Sequence, residues 1–149
     1  MRVAIGADHA GFELKEELKG LIADAGHSVI DLGTDSTESV DYPDFAAAVG
    51  RSIVGGRADR GIVVCGSGAG AAIAANKLDG IRCAQATDTY TAHQAVEHDD
   101  INVLALAARV TGVAVAEEIV AAYLGAEFIT DERFVRRVNK VLDLERTRA

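Results

Sequence analysis

Gly61-Ile-Val-Val-Cys65-Gly66-Ser67-Gly68-Ala69-Gly70, followed by Ala71-Ala-Ile-Ala-Ala-Asn76-Lys77, is the stretch that decides the fold. Ile62 to Val64 is a short β-branched run of the kind buried on both faces of a parallel sheet. Glycines at 66, 68 and 70 break the strand, and an alanine-rich segment of good helix propensity follows. The reading is strand, glycine turn, helix. Such a turn leaves backbone N–H groups unpaired at the start of a helix, where the dipole favours negative charge. Cys65 ends the strand beside that row. A thiol next to an anion-binding nest is reactive by position, because the nest stabilises thiolate over thiol. The plainer alternative is an ordinary buried cysteine, which cores often contain.

Working outward, the same alternation repeats along the chain. Val3 to Ile5 reads as a strand closed by Gly6-Ala-Asp8-His9-Ala-Gly11. Leu14, Leu18, Leu21, Ile22 and Ala25 then recur at helical spacing, with charges on the other face and Gly26 as the stop. Val29 to Leu32 is a second strand, and Pro43 opens a helix lined by Phe45, Val49 and Ile53 that ends at Gly55-Gly56. After the central unit, Ile81 to Ala86 predicts a strand, with Thr87 or Asp88 capping a helix to about Glu97. Asn102 to Leu106 predicts the fifth strand, and Gly112 and Gly125 bracket the next helix. A last helix starts near Asp131 with Phe134, Val138, Val141 and Leu142 facing inward.

This order predicts an α/β chain: a doubly wound, mostly parallel five-stranded sheet with helices on both faces, Rossmann-like in its layering, plus an extra C-terminal helix. Residues 1–149 read as one domain, with no repeat, linker or low-complexity stretch. In such sheets ligands bind beyond the carboxyl ends of the strands, where Asp8, His9, Cys65 and Asp88 fall.

Composition excludes several classes. The net charge of −8 argues against nucleic acid, whose binders present a basic face. No span approaches 18 apolar residues and no apolar leader opens the chain, so neither membrane insertion nor secretion is expected. Cys65 and Cys83 do not make a disulfide scaffold, and the expected setting is reducing and cytoplasmic. Six of the 15 Lys and Arg residues fall in the last 17 positions, a concentration that calls for an anionic partner or a complementary surface.

Several thiol and glycine-loop chemistries fail on spacing. A Cys-x5-Arg phosphatase would need arginine at 71, which is alanine, and a Walker loop would need its lysine well before Lys77. No CxxC or His-x-x-x-His pair suggests zinc. Gly66-x-Gly68-x-x-Ala71 approximates a dinucleotide fingerprint, with Asp88 about 20 residues on, but alanine stands third and little chain is left for a substrate domain. What remains needs a base, an anion stabiliser and a phosphate clamp. Cys65 could serve as the base and the Gly66–Gly70 amides as the stabiliser. Arg133 and Arg137, four apart on one helix face, could form the clamp with Arg109 as a third candidate; the alternative is a solvated charged face. His9 and His98 occupy loop-like positions suited to proton transfer, although a lone histidine is more often structural.

Gly6-Ala-Asp8-His9-Ala-Gly11, Asp41-Tyr42-Pro43-Asp44, Cys65-Gly-Ser-Gly-Ala-Gly70, Ile73-Ala-Ala-Asn76-Lys77 and Asn102-Val-Leu together resemble the ribose-5-phosphate isomerase B family, which is grouped with the galactose-6-phosphate isomerase subunits. The resemblance spans essentially the whole chain. It implies an aldose–ketose isomerase, without metal or other cofactor, acting on a five-carbon sugar phosphate (ribose 5-phosphate to ribulose 5-phosphate) through an enediolate. It implies that Cys65 moves the proton, that the amides of Gly66, Ser67, Gly68, Ala69 and Gly70 hold the oxyanion, and that His98 assists ring opening. It further implies substrate contacts from Asp8, His9, Tyr42 and Asp99, phosphate contacts from Arg109, Arg133 and Arg137, and a homodimer or homotetramer whose subunits share active sites. Ser67 stands where many members have threonine, and Asp99 where asparagine is usual. An amide donates to an enediolate oxygen whereas an ionised carboxylate repels it, so Asp99 must turn away, be protonated or orient His98. A phosphosugar sensor without turnover and a nicotinamide-dependent reductase are the alternatives from other classes, and substrates of four, five and six carbons are not separated by the sequence.

Overall fold

The apolar run at Ile62–Val64 lies in the middle strand of a five-stranded sheet. The strands are β1 (Arg2–Ala7), β2 (Ser28–Asp31), β3 (Arg60–Cys65), β4 (Cys83–Gln85) and β5 (Val103–Ala107). They alternate with α1 (Phe12–Asp24), α2 (Tyr42–Val54), α3 (Ala69–Ala75), α4 (Thr89–Asp99) and α5 (Val113–Gly125), and α6 (Glu132–Arg146) follows. The computed structural model describes residues 1–147; Arg148, one of the six basic residues of the C-terminal stretch, lies outside them. The spatial order is β2-β1-β3-β5-β4, and every pairing is parallel rather than mostly so.

Successive side chains of a strand point to opposite faces, which divides the core in two. Ile62 and Val64 join Val3, Ile5, Leu104 and Leu106 on one face, beneath Leu14, Leu18 and Ile22 of α1, Ala92 and Val96 of α4, and Ile119, Val120 and Tyr123 of α5. Val63 and Cys65 join Ala4, Val103 and Ala105 on the other face, beneath Ala46 and Val49 of α2 and Ala71 and Ala75 of α3. Each fully buried Val, Leu or Ile contributes about 1.5–3 kcal/mol of transfer free energy, so the central strand holds both layers.

The connections decide where a ligand fits. From β1 the chain leaves through α1 on one face towards β2, whereas from the adjacent β3 it leaves through α3 on the other face towards β4. Neighbouring strands whose connections depart in opposite directions open a crevice at their carboxyl ends. Here that crevice lies between β1 and β3.

The fourth strand is shorter than the run Ile81–Ala86 predicts. Asn102 Oδ1 accepts from the Arg82 amide at 2.9 Å, and the Arg82 guanidinium bonds Asp100, so side chains take up this backbone until the ladder starts at Cys83. The α4 cap is Asp88, whose Oδ1 accepts from the Thr91 amide at 2.7 Å. The C-terminal helix docks through buried Phe134 and Val138, while Val141 is exposed rather than inward and Leu142 is only half-buried. Among the described residues, no helix is long and apolar enough to cross a membrane.

Candidate active site

A cleft of about 380 Å³ sits at the β1/β3 crevice, lined by Asp8, His9, Tyr42, Cys65, Gly66, Ser67, Gly70 and Arg109. Cys65 is only 4% exposed, yet its side chain lines this cleft. Its Sγ accepts from the Gly68 N–H at 3.2 Å. That bond depends on the turn. Gly68 sits at φ +78°, in the left-handed region that costs an L side chain roughly 1 kcal/mol or more, and this conformation turns its amide back on the thiol. The amides of Gly70 and Ala71 follow in the first turn of α3, where the helix supplies no acceptor. The Ala69 amide approaches Ser67 Oγ at 3.4 Å.

The walls come from the neighbouring strand ends. Asp8 Oδ1 accepts from the amides of Ala10 and Gly11 at 3.0 and 3.1 Å, and the Asp8 amide donates to the Val64 carbonyl at 3.2 Å. The β1–α1 turn is therefore fastened to β3. His9 Nδ1 lies 3.2 Å from the Val40 amide and 3.3 Å from its carbonyl, so either neutral tautomer keeps the ring tied to the loop before α2. Tyr42 lies against Gly70 so closely that a Cβ there would stand 2.8 Å from the ring. Arg109 follows β5; its amide donates to the Gly66 carbonyl at 3.0 Å and its side chain passes over Gly66.

The other predicted residues assemble elsewhere. His98 lies near the end of α4, and a helix that follows a strand in a parallel sheet runs back against it. From Thr89 the helix descends about 15 Å before His98, which places the imidazole at the rim opposite Cys65. There it stacks on Phe134 of α6, with ring centroids 4.2 Å apart and planes 20° from parallel. The Arg133 and Arg137 guanidinium carbons stand 4.6 and 5.8 Å from the centre of the same phenyl ring. Asp99 and Arg137 share a second groove, of about 360 Å³, with Cys83, Val138, Val141 and Leu144. One chain thus carries two separate clusters of the expected site residues, at opposite rims. The motifs do not say which of these residues one chain brings together; the direction of α4 separates them.

The two cysteines differ in setting. Cys83 faces the interior side of the second groove, and burial pushes its thiol up to about 12. Two residues that the sequence did not single out also matter. Phe134, expected only as core, is the platform joining His98 to both arginines. Gln85, the polar residue closing β4, donates from Nε2 to the Ser67 carbonyl at 2.6 Å. Its signal was a polar side chain at the carboxyl end of a strand. Among the described residues, no group of three or more His, Cys, Asp or Glu is placed to hold a metal ion.

The family described as Ribose/Galactose Isomerase matches residues 3–141. The chain belongs to that family. It is 42% identical over 147 residues to ribose-5-phosphate isomerase B of Escherichia coli, covering 99% of this chain and 98% of the relative. It is 43% identical over 129 residues to D-erythrulose-4-phosphate isomerase of Pectobacterium atrosepticum, covering 86% and 85% of the two chains. The solved ribose-5-phosphate isomerase B of Clostridium thermocellum superposes with a TM-score of 0.97 at 46% identity, covering both chains fully. The chain is therefore a sugar-phosphate isomerase with the α/β fold of those relatives.

Proposed function

We propose that this isomerase interconverts ribose 5-phosphate and ribulose 5-phosphate through a cis-enediolate, with Cys65 as the base and the Gly66–Gly70 amides as the anion hole. The observation that carries this reading is the Cys65 thiol, lining a cleft at the sheet's switch point with the Gly68 N–H 3.2 Å from its sulfur. The thiolate takes the proton from C2 of the open-chain aldose as electrons move onto the C1 carbonyl oxygen; the C2 hydroxyl proton passes to that oxygen, and the thiol returns its proton to C1, leaving the carbonyl at C2. A carbon-bound proton beside a carbonyl is too weakly acidic for a thiolate alone. Preorganised amides aimed at the developing oxyanion supply about 3–4 kcal/mol per donor. No step calls for a metal or nicotinamide.

The reading needs a second copy of the chain. Ring opening by His98 and phosphate binding by Arg133 and Arg137 require these groups near Cys65, and within one chain they lie at the far rim. A symmetric dimer that sets one copy's α4–α6 rim against the other's β1/β3 crevice completes both sites, each with Arg109 from the chain that supplies Cys65. In this assembly the spacing between the sulfur and the arginine clamp fixes how many carbons fit. Phosphate binding remote from the reacting carbons then positions the substrate as well as holding it.

A four-carbon substrate is the second reading, favoured by the 43% identity to a relative named for D-erythrulose 4-phosphate. Turnover assays with ribose, erythrose, allose and galactose phosphates separate the two. The highest kcat/KM is expected for ribose 5-phosphate, and a clear preference for the tetrose would reassign the substrate. Activity retained in Cys65→Ala would remove the proposed base.

A further inference from the structure

The Ser67–Gly68 peptide is bonded at both ends. Its N–H donates to Cys65 Sγ at 3.2 Å, and its carbonyl, that of Ser67, accepts from Gln85 Nε2 at 2.6 Å. The atom meeting a carbonyl must be the donating nitrogen of the Gln85 amide. Three groups on two strand ends thus form one chain: Gln85 N–H to Ser67 carbonyl, across the peptide, and Gly68 N–H to sulfur. Gln85 lies directly over Gly68; a Cβ there would stand 2.8 Å from Nε2 and 2.9 Å from Cδ. Glycine at 68 therefore serves the left-handed turn and the close approach of this side chain together.

We propose that Gln85 is a positioning residue for Cys65, acting through the Ser67–Gly68 peptide. It has two effects. The bond at the carbonyl fixes the orientation of the peptide plane, which would otherwise rotate about the flanking torsions and swing the Gly68 N–H off the sulfur. It also draws electron density toward the carbonyl oxygen, which makes the N–H at the other end a stronger donor. Hydrogen bonds in series polarise one another in this way. A donor aimed at sulfur favours thiolate over thiol, because charge-assisted bonds are stronger than neutral ones. Gln85 is solvent-exposed in the single chain, so water competes for the same carbonyl and the effect is a graded one.

The inference rests on Cys65 being the reactive thiol, but its test does not require turnover. Iodoacetamide labelling of the full-length protein, with Cys65 and Cys83 followed separately by mass spectrometry of their peptides, reads the thiolate directly. In Gln85→Met, similar in size and unable to donate, the Cys65 labelling rate near neutral pH, relative to its alkaline plateau, should fall about two- to fivefold. Gln85→Glu keeps the shape but presents an ionised acceptor to a carbonyl, and should fall further. Gln85→Lys, which restores a donor, should recover part of the loss. Cys83 labelling should stay unchanged in all three, since that thiol is buried away from this peptide. In the isomerase assay kcat should drop with the same ranking while KM holds, because the bond acts on the base and not on phosphate binding.

Unchanged relative labelling of Cys65 in Gln85→Met and Gln85→Glu overturns the proposal. So does a parallel rise in Cys83 labelling, which would mean general loosening. Should Cys65→Ala remain active while the labelling ranking holds, the catalytic reading fails and the peptide relay stands; the two failures are therefore distinguishable.

Discussion

The cleft around Cys65 and the cluster around His98 are built on different principles. The first is assembled from strand ends fastened to one another by main-chain bonds: the Asp8 amide to Val64, Arg109 to Gly66, and Ala108 to Cys65. Its sulfur and its left-handed turn are held before any substrate arrives. The second is assembled from side chains on two helix surfaces, with one phenyl ring as the shared support. Arg133 is 63% exposed along its side chain, and its nearest carboxylate, Asp131, is 3.9 Å away. A surface ion pair of that kind contributes about 0–1 kcal/mol. On the proposed reading, the fixed cleft is the reaction centre, which must be rigid, and the exposed cluster is a clamp that grips phosphate against another chain.

The comparison breaks most sharply at Cys65. Cys65→Ala should lower kcat about 10²- to 10⁴-fold, the span a positioned base supplies, with the fold intact by circular dichroism. His98→Ala should also be severely impaired. Co-expressing the two variants then tests whether their half-sites meet. If each site takes its cysteine from one copy and its histidine from the other, every mixed dimer holds one intact site, and statistical pairing returns about a quarter of full activity. Sites contained in single chains would leave the mixture as inactive as its parents.

Arg137→Ala sharpens the same contrast at the clamp. Phosphate is bound alike in the ground and transition states, so the loss should fall on KM, by about 10- to 100-fold, with kcat within a fewfold. A fall in kcat at constant KM would move Arg137 from the clamp to the reacting carbons.

The cleft's rigidity can be tested away from the chemistry. Lys15 is fully buried and its ammonium bonds both Asp31 oxygens, at 2.9 and 2.8 Å, while Gly33 donates to the same carboxylate. The Gly33 carbonyl in turn accepts from the Ala7 amide at the end of β1, so this pair braces the strand that presents Asp8 and His9. Burial alone would push the Asp31 carboxyl up, but the bonds from Lys15, Lys19 and Gly33 outweigh it and hold it at about 2. A carboxyl held below its ordinary value stabilises the fold fully above pH about 4, and that contribution is lost as pH falls towards 2. Asp31→Asn should cost about 1–3 kcal/mol at neutral pH, because Lys15 loses its main partner, and should flatten the acid limb of stability between pH about 4 and 2. Urea unfolding across that range measures both.

How much of this was legible follows from where each signal resides. Ile62-Val-Val and the glycines after it carry strand and turn in their own residues, so β3, the turn and α3 follow from the sequence directly. The spatial order does not. The placement of β5 between β3 and β4 depends on crossovers over opposite faces, which local patterning does not encode. The β4 boundary slipped because Arg82 and Asn102 trade backbone pairing for side-chain bonds, a long-range choice invisible in the run Ile81–Ala86. The motifs named most of the residues that line the Cys65 cleft, but the opposite directions of β3 and α4 keep His98 and the α6 arginines at the other rim.

Asp99 carries the smallest expected effect and tests the clamp most finely. It closes α4, where the negative end of the helix dipole disfavours an anion, and shares its groove with Arg137. On the proposed reading its carboxylate weakens the positive field that Arg133 and Arg137 present to phosphate, while solvent exposure screens it. Asp99→Asn removes the charge and keeps the shape. KM for the sugar phosphate should fall about two- to threefold at low ionic strength, and the gain should vanish above about 0.5 M salt, where the Debye length drops to a few ångströms. A gain that survives high salt would mean that the asparagine amide donates directly to substrate, placing residue 99 in contact with the sugar rather than beside the clamp.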